Sequence, residues 1–343
     1  MLRNLVLLRA SNLRVPRAQK HWTVNNDPGK GASMKPSRKL LTGGLAIAFA
    51  AMAAFTSSAA ADPALPAKPP ASHPVWKPEW KDNFNGRAGA PPSAKDWKFE
   101  IGTGFGTGEI EHTTDDPANI GLDGKGNLAI TALRDAGGKW TSARINTKRE
   151  DFQAPEGGML KVEGRIRIPD VTGEKALGYW PAFWMLGAGL RHGQTWPGVG
   201  EYDILENVNG ANTLWGTLHC GTFPGGICNE PNGIGGSTPC PETSPCPGQF
   251  HTYTFILDKR IAPQEMRWYL DGRLYHTVRA DQVDAATWNN ATGHSGSFII
   301  LNLAMGGGFP DGVAGHPTPT PATEPGHSLL VDYVSVETAK MRP

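Results

Sequence analysis

The sequence predicts an all-β protein, built as a β-sandwich or jelly roll. Three observations carry this prediction. Apolar and polar residues alternate with a period of two in several segments, and helical periodicity is nearly absent beyond the N-terminal region. Glycine and proline, 43 and 29 of the 343 residues, cut the chain into short pieces. Two apolar segments, 266–270 and 273–278, are joined by Asp271-Gly272, the signature of a two-residue hairpin turn. Many short strands broken by such turns pack as layered sheets.

Taken in order, residues 1–33 show no periodicity and read as an upstream extension. From Met34, the basic residues Lys35, Arg38 and Lys39 precede an apolar run over 40–55, and Ala59-Ala60-Ala61 stands before Asp62. These are the basic, apolar and small-residue parts of a secretory signal, so a start at Met34 and cleavage after Ala61 are expected. The apolar run is shorter than the roughly 20 residues of a membrane-spanning helix. Residues 62–75, rich in Pro and Ala, read as a linker. No later shift in composition marks a second domain, and no internal repeat is visible.

Strands are expected at 128–133, 160–168, 250–257, 298–303 and 329–336. In the second of these, Leu160, Val162, Ile166 and Ile168 point one way and Lys161, Glu163, Arg165 and Arg167 the other, as in a half-exposed antiparallel strand. The run Trp180-Pro181-Ala182-Phe183-Trp184-Met185-Leu186 is apolar on both faces. It fits a strand buried on both sides, or one with a face in the core and a face lining a sugar cleft. Trp184, between Phe183 and Met185, is placed in the core. Trp180, Trp196 and Trp215 are candidate sugar-stacking residues.

The formal net charge is +1 and no basic stripe stands out, which argues against nucleic acid as a partner and fits a neutral polymer. The four cysteines Cys220, Cys228, Cys240 and Cys246 fall close together, in an exported chain, which points to disulfides. Three connectivities are possible, nearest-neighbour pairing (Cys220–Cys228, Cys240–Cys246) being the simplest. A zinc site is the rival, but no C-x-x-C pair is present. The intervening Gly, Pro, Ser and Thr read as a long loop that needs stapling, a candidate cleft wall.

The chemistry is concentrated in Gly200-Glu201-Tyr202-Asp203-Ile204-Leu205-Glu206-Asn207. Three carboxylates so close on an apolar strand repel one another, and carboxylates are rarely buried without a role. On a strand Glu201 and Asp203 share a face, whereas Glu206 has the opposite parity. One extra residue around Ile204-Leu205, a β-bulge, brings Glu206 back to their side. The two glutamates then lie four effective positions apart, about 13 Å between Cα atoms. Glycosidic hydrolysis needs such a carboxyl pair: a separation of about 5–5.5 Å between carboxyl groups specifies retention, a wider one inversion. Asp203 between them would help split the two pKa values. A solvated acidic face or a calcium site is the alternative.

With its flanks, this motif resembles the E-x-D-x-x-E signature of glycoside hydrolase family 16, in the bulged form of its laminarinase-like (endo-β-1,3-glucanase) branch. Thr141-Ser142-Ala143-Arg144-Ile145-Asn146-Thr147-Lys148, Gly178-Tyr179 with the 180–186 run, Leu301-Asn302-Leu303-Ala304-Met305-Gly306-Gly307 and Leu330-Val331-Asp332-Tyr333-Val334 are similar to further signatures of the family, in the same order. The resemblance spans residues 76–338. It implies the β-jelly-roll sandwich of concanavalin A-like lectins and glucanases, with a concave cleft, endo-action on β-glycans and retention. By position Glu201 corresponds to the nucleophile, Glu206 to the acid/base and Asp203 to their assistant. His219 matches a position close to the acid/base, Trp180 and Trp196 match cleft tryptophans, and Glu109 is placed near sugar hydroxyls. Many members carry a structural Ca²⁺; Asp332 matches one ligand position, while Asn83 stands where an acidic partner is expected. No cofactor is required for the reaction itself.

The leading reading is therefore a secreted, monomeric endo-β-1,3-glucanase that has no membrane association after signal cleavage. The insert from Cys220 to Glu230 departs from simple laminarinases, which keeps an endo-β-1,3-galactanase, another β-glycanase or a transglycosylase in view. A non-catalytic, lectin-like glycan-binding module would explain the tryptophans but not the retention of both Glu201 and Glu206.

Overall fold

A computed structural model describes residues 74–293 and 296–340. The expected extension, the signal segment and the linker up to residue 73 lie outside the described residues. Two sheets make up the sandwich. The first has eight strands in the order Arg273–Arg279, Glu265–Leu270, Phe250–Asp258, Gly158–Arg167, Ser328–Lys340, Leu128–Thr131 and Ile120–Leu122, with Lys77–Asp82 also paired to Ser328–Lys340. The second has seven, in the order Ile234–Pro239, Thr213–His219, Glu201–Glu206, Tyr179–Gly187, Ser297–Met305, Arg144–Thr147 and Trp97–Phe99. Every pairing in both is antiparallel. A small three-stranded patch joins His112–Thr113, Trp140–Ser142 and Leu133–Arg134.

Period-two alternation decides which side chains enter the core. Along Gly158–Arg167, Leu160, Val162 and Ile166 are buried while Lys161, Glu163, Arg165 and Arg167 are half-exposed. Their counterparts across the sandwich are Phe183, Met185, Tyr202 and Leu301, all fully buried in the same cluster. Tyr202 stacks on Phe255 with ring centroids 5.0 Å apart and planes at 13°. The 266–278 hairpin forms as expected, with Asp271 at φ 48° and Gly272 at φ 76°. Both lie in the left-handed region that a two-residue turn of this kind demands.

The segment expected as one strand over 128–133 divides. Leu128–Thr131 joins the eight-stranded sheet, and beyond Ala132 the chain enters the three-stranded patch as Leu133–Arg134. Two short helices escaped the period-based reading. Ala285–Thr292 begins at Asp284, whose side chain accepts from the Thr287 backbone N–H at 2.9 Å, and Gly308–Ala314 inserts Phe309 beside the seven-stranded sheet.

Candidate active site

The predicted bulge is present and fixes the site. Asp203 pairs with Thr217 and Glu206 with Trp215, so three steps on one strand match two on its neighbour. The neighbour on the other side shows the same slip, with Leu205 opposite Phe183 but Asp203 opposite Trp184. Ile204 and Leu205 therefore both turn into the core, at 1% and 0% exposure. Glu201, Asp203 and Glu206 all face outward, opposite His219, Thr217 and Trp215, and line one cleft. The Asp203 carbonyl within the bulge accepts from the Trp268 indole of the opposite sheet at 2.8 Å, so the irregular backbone is tied through the core.

The cleft has a volume of about 460 Å³, of the size that takes a small ligand or part of a larger one. Trp180, Ala182, Trp184 and Leu186 form its floor, alternate residues of Tyr179–Gly187. Trp184 is therefore a cleft residue and not a core residue, since strand parity groups it with Trp180 while Phe183 and Met185 fill the core. Its indole donates to Asn302 Oδ1 at 2.8 Å, and the Arg144 guanidinium lies 4.9 Å from its ring. Phe105, with Arg144 at 4.6 Å on its ring, closes that end.

Trp180 and Trp196 both reach the cleft, yet each uses its edge as well as its face. The Trp180 indole donates to Glu206 Oε1 at 2.9 Å and the Trp196 indole to Glu201 Oε2 at 3.1 Å. Each catalytic candidate is thus held by one tryptophan N–H. Trp215 stands on the same face but not among the cleft-lining residues. It packs edge-on against Phe309, 5.3 Å away at 79°.

His219 lies beneath the acidic pair, with Nε2 3.2 Å from Asp203 Oδ2 and 3.8 Å from Glu201 Oε1. Its Nδ1 is 2.8 Å from Glu230 Oε2. Burial works against a charged ring, but the nearby Asp203 carboxylate and the bond to Glu230 prevail and raise the His219 pKa well above its usual value. Glu206 is shifted upward to about 8, first by burial and then by the negative charge of Asp203, with Glu201 adding to it. It therefore keeps its proton at neutral pH, as a general acid must. Glu201, Asp203 and His219 have oxygen and nitrogen atoms close enough to suggest a metal site. The upward shift of His219 argues against that role, because a protonated imidazole has no lone pair to offer a metal.

Glu109 sits at the cleft wall, 8% exposed, with Oε2 accepting from the Thr107 backbone N–H at 2.9 Å and from the Thr107 hydroxyl. Two residues on, Glu111 also reaches the cleft and was not foreseen. Burial pushes its carboxyl up to about 7 while the Met305 N–H bonds it at 2.8 Å. Period-two parity from Glu109 was the signal that would have found it. The two disulfides join Cys220 to Cys228 and Cys240 to Cys246, the nearest-neighbour pairing. Asp332 Oδ2 accepts from Arg165 Nη1 at 2.6 Å, an ion pair that would compete with calcium for that oxygen. Nearby, Asp82 is committed to the Phe84 N–H and the Trp97 indole, each at 2.8 Å, and Asn83 is exposed.

A sandwich whose outer face carries two glutamates on one strand, one of them with a raised pKa, among indoles, has the carboxyl pair that a glycoside hydrolase needs. A family model described as an XgeA-like, catalytic GH16 domain matches residues 137–231. A glucan endo-1,3-beta-glucosidase of Cryptopygus antarcticus is 33% identical over 253 residues, 69% of this chain and 83% of that protein. Glucan endo-1,3-beta-glucosidase A1 of Niallia circulans is 30% identical over 278 residues, 75% of this chain but 37% of that longer protein. Among solved structures, the endo-1,3-beta-glucanase from Streptomyces sioyaensis superposes with a TM-score of 0.75 at 52% identity, covering 80% of this chain and all of that one. The chain belongs to glycoside hydrolase family 16.

Proposed function

We propose that the protein is a secreted, endo-acting β-1,3-glucanase that cleaves laminarin-type polysaccharides with retention of configuration. The observation that carries this reading is the bulge that puts Glu206, protonated at neutral pH, on the same cleft face as Glu201. The names of the relatives, glucan endo-1,3-beta-glucosidases and an endo-1,3-beta-glucanase, support the substrate. An open cleft on a sheet face suits attack within a chain, and two disulfides suit an exported protein.

In the first step the Glu201 carboxylate attacks the anomeric carbon while the glycosidic C–O bond breaks and Glu206 gives its proton to the departing oxygen. In the second, water attacks the glycosyl-enzyme, Glu206 takes the water's proton, and Glu201 leaves as a carboxylate. Asp203 and Glu201 both hold Glu206 in its acid form by charge, and Trp196 steadies the nucleophile. Glu109 and Trp184 are proposed to contact sugar along the cleft.

The test offers residues 62–343 laminarin, mixed-linkage β-glucan and β-1,3-galactan side by side, with Glu201→Gln as control. Soluble oligosaccharides from laminarin, with the β-anomer appearing first by NMR, are expected, together with silence but intact glucan binding in the variant. Cleavage of galactan alone overturns the substrate. An α-anomer overturns retention, and binding without cleavage by the unaltered protein overturns the enzyme in favour of a lectin-like module.

A further inference from the structure

The segment from Cys220 to Glu230 delivers one side chain to the heart of the site. Glu230 follows the loop closed by Cys220–Cys228 and is 3% exposed, with its side chain fully enclosed. Both its oxygens are used: Oε2 faces His219 Nδ1 at 2.8 Å and Oε1 accepts from the Cys220 N–H at 2.9 Å. The Glu230 backbone is itself pinned, exchanging N–H···O bonds with Gly225 at 2.6 and 2.7 Å inside the loop. On the far side the chain returns over the ring at Gly233, φ 68°, where an added Cβ would lie 2.5 Å from Thr217 Cγ2 and 3.0 Å from His219 Nδ1. Only glycine permits that approach.

A fully enclosed carboxylate is costly unless a cation or donors face it. Here the cation is His219. A carboxylate only accepts hydrogen bonds, so Nδ1 must donate to Glu230 while Nε2 faces Asp203 and Glu201. We infer that Glu230 is a positioning residue for the hydrolysis, holding the His219 ring in place and doubly protonated beneath Glu201 and Asp203 across the working pH range. The other groups facing the ring are Glu206, from the same strand as Glu201 and Asp203, and the Trp196 indole 5.7 Å away. The Tyr275 hydroxyl, which senses Glu206 and Asp203 from the hairpin, is driven upward by burial and stays neutral.

The consequence runs along the chain of charges. An imidazolium under Glu201 favours its anion, the form a nucleophile needs, and also restrains the upward shift of Glu206. Replacing Glu230 by Gln keeps the shape of the loop and removes the charge that holds the second proton on His219. Glu201 then ionises at higher pH, and so does Glu206, so both limbs of the kcat/KM profile move up together. A purely structural role would lower activity without moving either limb. The inference rests on the glucanase reading for this kinetic consequence alone; the protonation of His219 does not depend on it.

The deciding experiment follows the imidazole nitrogens of ¹⁵N-labelled protein, residues 62–343, by NMR between pH 5 and 9, with the His219 signals identified by their loss in His219→Gln. The unaltered protein is expected to keep both His219 nitrogens protonated beyond pH 7.5, and Glu230→Gln to release a proton below it. With laminarin, Glu230→Gln is expected to lose about ten- to hundredfold in kcat, the size of one charge-assisted hydrogen bond, with KM little changed and both limbs displaced upward. Loss of a His219 proton below pH 7.5 in the unaltered protein overturns the inference, even if the variant fails to fold. So does an unmoved pH profile in a folded Glu230→Gln. Failure of the unaltered protein to cleave any glucan sinks the functional reading instead and leaves the NMR result standing.

Discussion

Trp180→Phe tests how Glu206, the proposed acid, is tuned. The Trp180 indole N–H donates to Glu206 Oε1 at 2.9 Å, while the ring packs edge-on against Phe309 at 5.8 Å. Phe keeps most of the buried ring and removes the donor, so the fold should tolerate it. The bond stabilises the ionised carboxylate and is one of the influences that hold the Glu206 pKa down near 8. A hydrogen bond to a charged group is worth about 1.5–3 kcal/mol. At 1.36 kcal/mol per pKa unit this sets a ceiling of about one to two units, and water entering the space left by the indole reduces it to about half of that. The sign follows from the role. Glu206 must carry a proton to act as acid, and a weaker hold on its anion means it keeps that proton to higher pH. The basic limb of kcat/KM on laminarin, which reports the free enzyme, is expected to move up by about 0.5–1 unit. Activity at pH 6 should fall about tenfold, because the carboxyl is no longer aimed. A limb that moves down, or stays while activity falls, refutes the argument that this bond tunes the acid.

Glu206→Gln should lose about 10²–10⁴-fold on laminarin and recover much of that on an aryl β-glucoside oligomer whose phenolate leaves without protonation; equal losses on both substrates would remove Glu206 from the acid role. Asp332→Asn breaks a half-exposed ion pair with Arg165 and should cost no more than about 1 kcal/mol by urea unfolding. A chelator should leave the Tm of the unaltered protein where it was, whereas a drop on chelation would restore Asp332 as a calcium ligand. Replacing both Cys240 and Cys246 by Ser opens a six-residue separation outside the cleft. The expected cost is about 2 kcal/mol, a Tm lower by roughly 4–8 °C for a domain of this size, with kcat unchanged.

What could be read from the sequence, and what could not, divides along one physical line. Parity is local: it needs only the chain and the two-residue repeat of a strand. That is why the odd spacing of Glu206 demands a bulge on its own, and why the bulge is there. The same rule, applied without regard to the bulky neighbours Phe183 and Met185, sends Trp184 to the cleft with Trp180. Partnership across the fold is not local. Asp332 meets Arg165 only because Ser328–Lys340 lies beside Gly158–Arg167 with a slip between Val331 and Tyr333, and no single-chain pattern announces that slip. Trp180 and Trp196 look like sugar platforms because Trp offers a broad face. Their indole N–H groups point at Glu206 and Glu201 through side-chain angles that only packing decides.

Glu230 marks the far end of that line. It stands in a Gly- and Pro-rich loop where carboxylates are ordinarily solvated, 11 residues from the histidine it contacts. Nothing in its neighbours forecasts burial. The disulfide brings the loop back on itself, the bridge to Gly225 sets the backbone, and Gly233 leaves room for the ring. Remove any one and the carboxylate would find water sooner than an imidazole, since an enclosed charge survives only where its partner is held in place. The acidic strand is legible because its carboxylates stand in one stretch of eight residues. The group that sets its charge state is spread over a loop, a disulfide and a glycine, and becomes a site only when the chain has closed around it.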